Sequence, residues 1–293
     1  MDITKLKSFL ILSECKSFSK TADILFCSQP AVSKHIDSLE NELQVPLFNR
    51  IRNNISLTIH GEHFKQYAEE IVRIYENSKE HIKQIENLNE GTLHFGATNF
   101  IGVYLVPKLI KQFQAKHPNI KLNTVINSSK NLFEKLEKHE IEFVFLSHYV
   151  EIDENKYISK TFYTDELVLV VSNNHRLANR SSCKLIEIKD ETFISKDLHS
   201  SLYRFLDEEV QEFNFNKKLV INNQEAIKQT VMEGVGVSIM SRISVELEVK
   251  LGLMKAIEIE DYNLTREINL VYERRKHITP AGQAFFNLLT FNQ

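Results

Sequence analysis

The stretch that most constrains this chain is Ser17 to Leu43, SFSKTADILFCSQPAVSKHIDSLENEL, which divides into two short helices around a tight break. Ala22, Ile24 and Leu25 supply the apolar side of the first, and Val32, Ile36, Leu39 and Leu43 recur at helical spacing on the second. Ser28 stands at the N-cap position, and Pro30 falls in the first turn, where a missing N–H loses no intrahelical bond. The opposite face carries Gln29, Ser33, Lys34 and Asp37, polar groups able to hydrogen-bond outward. A helix presenting such groups near its N-terminus, braced by a preceding helix, suits a DNA major groove. The stretch therefore predicts a helix-turn-helix.

Its flanks extend that expectation. Residues 3–15 read as a first helix, with Leu6, Phe9, Leu10 and Cys15 placed to cover the helix pair. After Val45-Pro46-Leu47-Phe48, the segment Asn49 to Leu57 alternates around an Asn-Asn pair, and Asn tolerates the positive φ of a tight turn. This predicts a hairpin wing with Arg50 and Arg52 toward phosphate or the minor groove; the alternative is a solvated surface loop. Residues 1–60 hold seven bases against six acids, so DNA contacts should come from a few placed side chains rather than a broad basic field. The net charge of −3 argues against a chain that is basic throughout and leaves a local patch open.

Thr58 is placed to cap a long helix reaching about Leu88. Phe64, Tyr67, Ile71, Ile74, Ser78, His81, Ile85 and Leu88 fall at steps of three and four, a heptad seam with two polar turns. A solitary helix with such a seam needs a partner, which predicts dimerisation and, by two-fold symmetry, two reading heads on a palindromic site.

From Gly91 the pattern becomes strand–helix. Strands are predicted at 92–97, 120–126, 141–146, 166–171, 193–195, 219–221, 237–240, 253–259 and 268–272. Helices are predicted near 103–116, 131–139, 201–213 and 225–233, with a last one opened by Thr279-Pro280. The rhythm predicts a parallel α/β sheet. In such sheets small molecules collect at the carboxyl ends of strands, beside helix N-termini. Those ends carry Thr98-Asn99-Phe100, Ser128-Ser129, Ser147-His148, His199-Ser200-Ser201 and Asn222-Asn223. For any one of these an ordinary helix cap is the plainer reading; their recurrence after successive strands points to a shared site for a carboxylate, sulfate or phosphate.

Other classes fit poorly. At 293 residues the chain allows about two domains, and its longest apolar runs, such as Leu167 to Val171, are far shorter than the roughly 18 residues of a membrane span. Asp2 and the short run Phe9 to Leu12 do not make a signal peptide, which counts against an exported solute-binding protein. Cys15, Cys27 and Cys183 have no metal or redox spacing and read as reduced, mostly buried thiols of a cytoplasmic protein. No metal or other cofactor is expected: His60 and His63 are too few to hold a metal, and Gly234-Val235-Gly236 lacks the third glycine of a dinucleotide loop, with Ile239 in its place. Nucleophile-elbow, phosphate-loop and zinc-protease patterns are missing, so no catalytic residues are expected.

The order of parts resembles a LysR-type transcriptional regulator. The resemblance is carried by residues 17–61, SFSKTADILFCSQPAVSKHIDSLENELQVPLFNRIRNNISLTIHG, and further by ELVLVVSNNHRL at 166–177 and NNQEAIKQTVMEGVGVSIMS at 222–241. It implies an α+β multidomain fold: a winged helix-turn-helix over 1–58, a dimerisation helix over 59–90, and a periplasmic-binding-protein-like effector domain over 91–293. That domain would divide into two Rossmann-like subdomains, 91–162 with 268–293, and 163–267. The implied partners are promoter DNA, a small-molecule effector, other copies of the chain as dimer or tetramer, and RNA polymerase. Ser17, Ser28, Gln29, Pro30, Ser33, Lys34, Arg50 and Arg52 match positions that face DNA in the family. Thr98 to Ile101 match its loop after the first strand, and Ser128-Ser129 its second-strand loop. His199 to Leu202 match a stretch usually Gly-Ser-Gly-Thr, of which Ser200 alone keeps its hydroxyl in place. His148, Ser201 and Asn222 complete the candidate effector contacts.

Overall fold

The computed structural model describes residues 2–51, 54–86, 90–197, 200–210, 215, 217–275 and 278–289. They form two compact units, one of residues 1–88 with 137–140 and one of the remainder.

The first unit is built on α1 (Ile3–Cys15), α2 (Phe18–Ile24), α3 (Gln29–Leu43), the hairpin of β1 (Phe48–Ile51) and β2 (Asn54–Leu57), and α4 (Ile59–Glu86). Each helix start is capped as its sequence dictates. Asp2 Oδ1 accepts from the Lys5 N–H at 3.0 Å, Ser17 and Ser28 accept from Lys20 and Ala31, and Thr58 Oγ1 accepts from Gly61 at 3.0 Å. The core gathers Leu6, Phe9 and Leu12 of α1, Ile36 and Leu39 of α3, and Leu47 and Phe48. Phe9 sits at its centre, 5.4 Å from the Phe48 ring and 5.1 Å from Phe64 of α4. Phe64 and Val72 turn α4 onto this core, whereas Tyr67, Ile71, Ile74 and Ile85 of the predicted seam are exposed. Leu88, the last seam position, lies outside the described residues. The chain passes through the left-handed region at Phe26 (φ 51°) and at Gln44 (φ 58°), which ends α3. Phe26 lies between α2 and α3 with 97% of its surface exposed.

The second unit runs β3 (Gly91–Ala97), α5 (Asn99–Tyr104), α6 (Val106–Lys116), β4 (Ile120–Ile126), α7 (Ser129–Glu137), β5 (Phe143–Ser147) and β6 (Tyr157–Ser172). It continues with β7 (Ser182–Cys183), a 3-10 turn at Leu185–Ile188, β8 (Thr192–Ser195), α8 (Ser201–Glu209), β9 (Lys217–Val220), α9 (Gln224–Met232), β10 (Ser238–Ser241), α10 (Arg242–Lys250), β11 (Met254–Ile259), β12 (Thr265–Glu273) and α11 (Pro280–Phe286). The main sheet has the order β4-β3-β5-β12-β6-β11-β7, with β10 also paired to β6, and β8 pairs β9 apart from it.

The predicted parallel sheet holds in part. β3 is parallel to β4 and β5, and β8 to β9, but β12 is antiparallel to β5 and β6, and β6 to β10 and β11. The sheet is mixed because β6 and β12 are long strands shared by two lobes. Tyr157 to Glu166 of β6 pair with β12, whereas Leu167 to Ser172 pair with β10 and β11. Separate cores flank this crossing, one around Leu132, Leu136, Val144 and Val271, the other around Leu169, Phe193, Phe205 and Ile257.

Beyond shifts of a few residues at helix ends, two helical segments differ from expectation. The single helix predicted near 103–116 is two, α5 and α6, because Pro107 stands at the second position of α6, where it opens a helix rather than continuing one. No element is predicted for Arg242–Lys250, yet it forms α10. The predicted mostly buried thiols divide: Cys183 is buried, Cys15 half-buried and Cys27 exposed, and burial pushes the Cys183 thiol up to about 11.

Candidate functional site

In the first unit, burial of Val32, Ile36 and Leu39 turns the opposite face of α3 outward. Gln29, Pro30, Lys34 and Asp37 are exposed there, and Ser33 is half-buried with its hydroxyl 3.4 Å from Asp37. Gln29, which is exposed, accepts from Ser19 through its side-chain oxygen at 3.0 Å, which leaves its amide nitrogen available as a donor. Lys34 makes no ion pair or hydrogen bond among the described residues. Ser17 and Ser28 occupy the caps of α2 and α3. Arg50 on β1 is held against α3, 2.8 Å from Asp37 and 3.3 Å from Glu40, with its guanidinium 5.4 Å over the Phe18 ring. Glu40 also accepts from the backbone N–H groups of Leu47 and Phe48 at 2.7 and 3.1 Å, so this carboxylate fixes where the wing leaves α3. Arg52 and Asn53 lie outside the described residues.

In the second unit, Thr98, Asn99, Phe100, Ser128, Ser129, Ser200, Ser201 and Asn222 line one cavity of about 490 Å³. The local reason is common to all: each follows or closes a strand and precedes or opens a helix. Ser200 caps α8 by accepting from Tyr203 N–H at 3.1 Å, while Thr98 stands at the N-cap of α5 without bonding the helix, so its hydroxyl faces the cavity uncommitted to capping. Two candidates are elsewhere. Ile101 points into the core, 1% exposed, because α5 turns its second residue pair inward. His148 lies beyond the lining, its ring 4.0 Å from that of Tyr149 and tilted against it by 54°, with its Nδ1 3.2 Å from the Glu267 N–H. His199 lies outside the described residues.

The cavity also carries charged and polar groups that the sequence reading passed over. Arg266 on β12 bonds Asp165 on β6 at 2.8 Å, their side chains 4% and 1% exposed, and the guanidinium lies 4.8 Å over the Phe100 ring. Ser241 Oγ donates to the other Asp165 oxygen at 2.5 Å. Burial nonetheless holds the Asp165 carboxyl above the ordinary carboxylate range, with Arg266 and Ser241 opposing the rise. Lys196 follows β8; burial, reinforced by the nearby Arg266, pushes its ammonium below the usual lysine range, and Asp197 opposes this. Ser195 Oγ is buried without a hydrogen-bond partner. Tyr149 donates to Glu209 at 2.5 Å, and burial first, then that carboxylate, holds its phenol well above the ordinary value. Strand alternation around Arg266 was the available signal, since it falls in step with Leu264, Ile268 and Leu270, whereas no such pattern surrounds Asp165.

The Gly234-Val235-Gly236 segment has a structural use. Gly234 takes φ 76°, and a Cβ on Gly236 would collide with the Thr192 carbonyl oxygen, so both glycines serve the turn into β10. Among the described residues no group of three or more His, Cys, Asp or Glu is placed to hold a metal ion, and no helix is long and apolar enough to cross a membrane.

Comparison with known proteins agrees with this layout. The description "Bacterial regulatory helix-turn-helix protein, lysR family" matches residues 3–62, and "LysR substrate binding domain" matches residues 86–291. A probable RuBisCO transcriptional regulator of Thalassiosira pseudonana is 30% identical over 98% of this chain and 96% of its own length. Among solved structures, full-length CbnR complexed with its target DNA shares the fold across 98% of both chains with a TM-score of 0.68 at 17% identity. The effector binding domain of QuiR in complex with shikimate covers 68% of this chain and 94% of its own, with a TM-score of 0.59 at 25% identity. The chain belongs to the LysR family: it is a transcriptional regulator with a helix-turn-helix DNA-binding domain and an effector-binding domain, and not an enzyme.

Proposed function

We propose that this regulator senses a small anionic effector in the 490 Å³ cavity of its second unit, through Thr98, Asn99, Phe100, Ser128, Ser129, Ser200, Ser201 and Asn222. The observation that carries the reading is the convergence on one cavity of strand-end hydroxyl and amide groups from four separate strand–helix junctions. QuiR's complex with shikimate, a hydroxylated carboxylate, supports an effector of that chemistry. Ile101 and His148 act from behind the lining, the first through the core and the second through Tyr149.

The reading head uses Ser17, Ser28, Gln29, Pro30, Ser33 and Lys34, with Gln29 and Ser33 at base edges and Lys34 on phosphate. Arg50 and Arg52 of the wing approach phosphate or the minor groove, Arg50 by exchanging its intramolecular carboxylates for DNA. Because it acts on promoter DNA, the protein works in the cytoplasm, in contact with RNA polymerase. An effector gripping both lobes favours one arrangement of them, and that preference passes to the heads in the oligomer; an effector binding both arrangements equally would change nothing.

Footprinting of the target promoter tests this. A carboxylate that stabilises the protein should alter protection or DNA bending, and Ser129→Trp, which narrows the cavity, should remove the change. Unchanged protection and bending with a bound ligand would sink the proposal.

A further inference from the structure

We infer that the cavity recognises its effector as a monocarboxylate, received by the Lys196 ammonium and the Ser195 hydroxyl at the end of β8, while Arg266 takes no direct part. This rests on the reading of the cavity as the effector site.

Three cationic side chains line the cavity, Lys196, Arg204 and Arg266, and they are not equivalent. Arg266 already has its counter-charge in Asp165 at 2.8 Å, an internal pair that an incoming anion would have to break. Arg204 is exposed, where water and salt screen it. Lys196 is partly withdrawn from water and has no ion pair or hydrogen bond among the described residues. Its neighbour Ser195 is 7% exposed, and its hydroxyl is also unpartnered. Buried polar groups are ordinarily satisfied, so the Ser195 hydroxyl, with the half-buried and unpaired Lys196 ammonium next to it in the same lining, calls for a partner that supplies negative charge and an acceptor together. A carboxylate does both. The first turn of α8 borders the same wall with its remaining N–H groups, since Ser200 has taken only that of Tyr203.

The wall also limits the charge. Asp197, next to Lys196, lines the same cavity, so an adjacent carboxylate reduces the positive charge of this wall. The wall therefore favours a singly charged anion over phosphate or sulfate, whose second charge is repelled by that carboxylate. Phe100, Leu206, Ile239 and Met240 supply apolar surface for the carbon skeleton.

The test is thermal denaturation of the full-length protein with acetate, benzoate or shikimate replacing chloride at constant ionic strength, beside benzamide, inorganic phosphate and sulfate. At ten times its dissociation constant, a bound carboxylate should raise the melting midpoint by about 3–6 °C. Lys196→Met should abolish the rise, Ser195→Ala should reduce it, Lys196→Arg should keep part of it, and Arg204→Ala should leave it intact. Absence of any carboxylate shift in the unmodified protein overturns the inference. So does a benzamide shift equal to that of benzoate, or a phosphate or sulfate shift larger than the carboxylates'. Ser129→Trp separates the two levels: if it abolishes the shift while Lys196→Met retains it, the lysine assignment alone fails. If both variants retain it, the cavity reading fails as well.

Discussion

Arg266→Met should be among the most damaging single substitutions in the second unit, and the damage should depend on pH in a defined direction. Arg266 and Asp165 are register partners on β12 and β6, the two strands that both lobes share, and the Ser241 hydroxyl of β10 completes the carboxylate's shell. With side chains 4% and 1% exposed, neither charge has water to fall back on. Removing one partner of a buried pair destabilises by about 3–5 kcal/mol. For a unit of this size that lowers the melting midpoint by about 6–20 °C. The carboxyl of Asp165 is already raised by burial, and loss of Arg266 raises it further. A folded pKa above the unfolded value of about 3.9 means the folded state binds more protons, so stability falls as pH climbs through the folded pKa. The deficit of Arg266→Met should therefore be smallest near pH 4 and grow toward neutral pH. Adding Asp165→Leu should recover most of the loss and remove its pH dependence, since a buried pair replaced by apolar groups is often neutral. Thermal melts of the three proteins across that range decide it. A single-variant loss under about 1 kcal/mol, a loss that does not vary with pH, or a double variant no better than the single would refute the reasoning.

Gln44→Gly should stabilise the first unit by about 1 kcal/mol, because Gln44 holds φ 58° at the end of α3, where a side chain is strained and glycine is not; a thermal melt checks it. Ile71→Glu with Ile74→Glu should shift the protein toward monomer in sedimentation velocity, since both residues are exposed on one side of α4 and carry the predicted seam. On a promoter fragment, Lys34→Ala should weaken binding across sequences and lower the salt slope by about 1, whereas Gln29→Ala or Ser33→Ala should change preference at individual base pairs. A Lys34→Ala protein with changed base preference and an intact slope would count against its phosphate assignment.

How much of this fold was legible depends on whether local pattern and tertiary role agree. In the first unit they do. Caps at Ser17, Ser28 and Thr58 are chemical requirements of helix starts, and Val32, Ile36 and Leu39 are the buried stripe that their spacing announces. In α10 they conflict. Ile243, Val245, Leu247 and Val249 alternate with polar residues at the period of a strand, and β-branched side chains reinforce that pattern. The segment is a helix because its packing needs only Ser244 and Val245 inside, and Leu247 is left 65% exposed. The first half of β6 was hidden differently. Residues 157–165 are exposed or half-buried at most positions, so they lack an apolar run, and their strand conformation comes from pairing with β12 far along the chain.

The same distinction explains which parts of the cavity could be found in advance. Hydroxyl and amide groups at strand ends are local features, positioned by the helices they open, so sequence order alone brings Thr98, Ser128, Ser200 and Asn222 forward. The charged groups are not local. Arg266 reaches the cavity from the start of β12, and its meaning depends on Asp165, whose alignment with it requires the register of two long strands. Lys196 is informative only by contrast with that pair: a lysine beside a serine is unremarkable in sequence, and becomes a candidate when the neighbouring cation is already held in an ion pair and the lysine is in none among the described residues. On the proposed reading this division also has a mechanical sense. The paired Arg266 and Asp165 tie together the strands about which the lobes would move, while the unpaired Lys196 follows β8 and Thr98 and Ser129 follow β3 and β4. A carboxylate held by Lys196, with its carbon skeleton reaching Thr98 and Ser129, can then favour one lobe arrangement without dismantling the ion pair that both arrangements need.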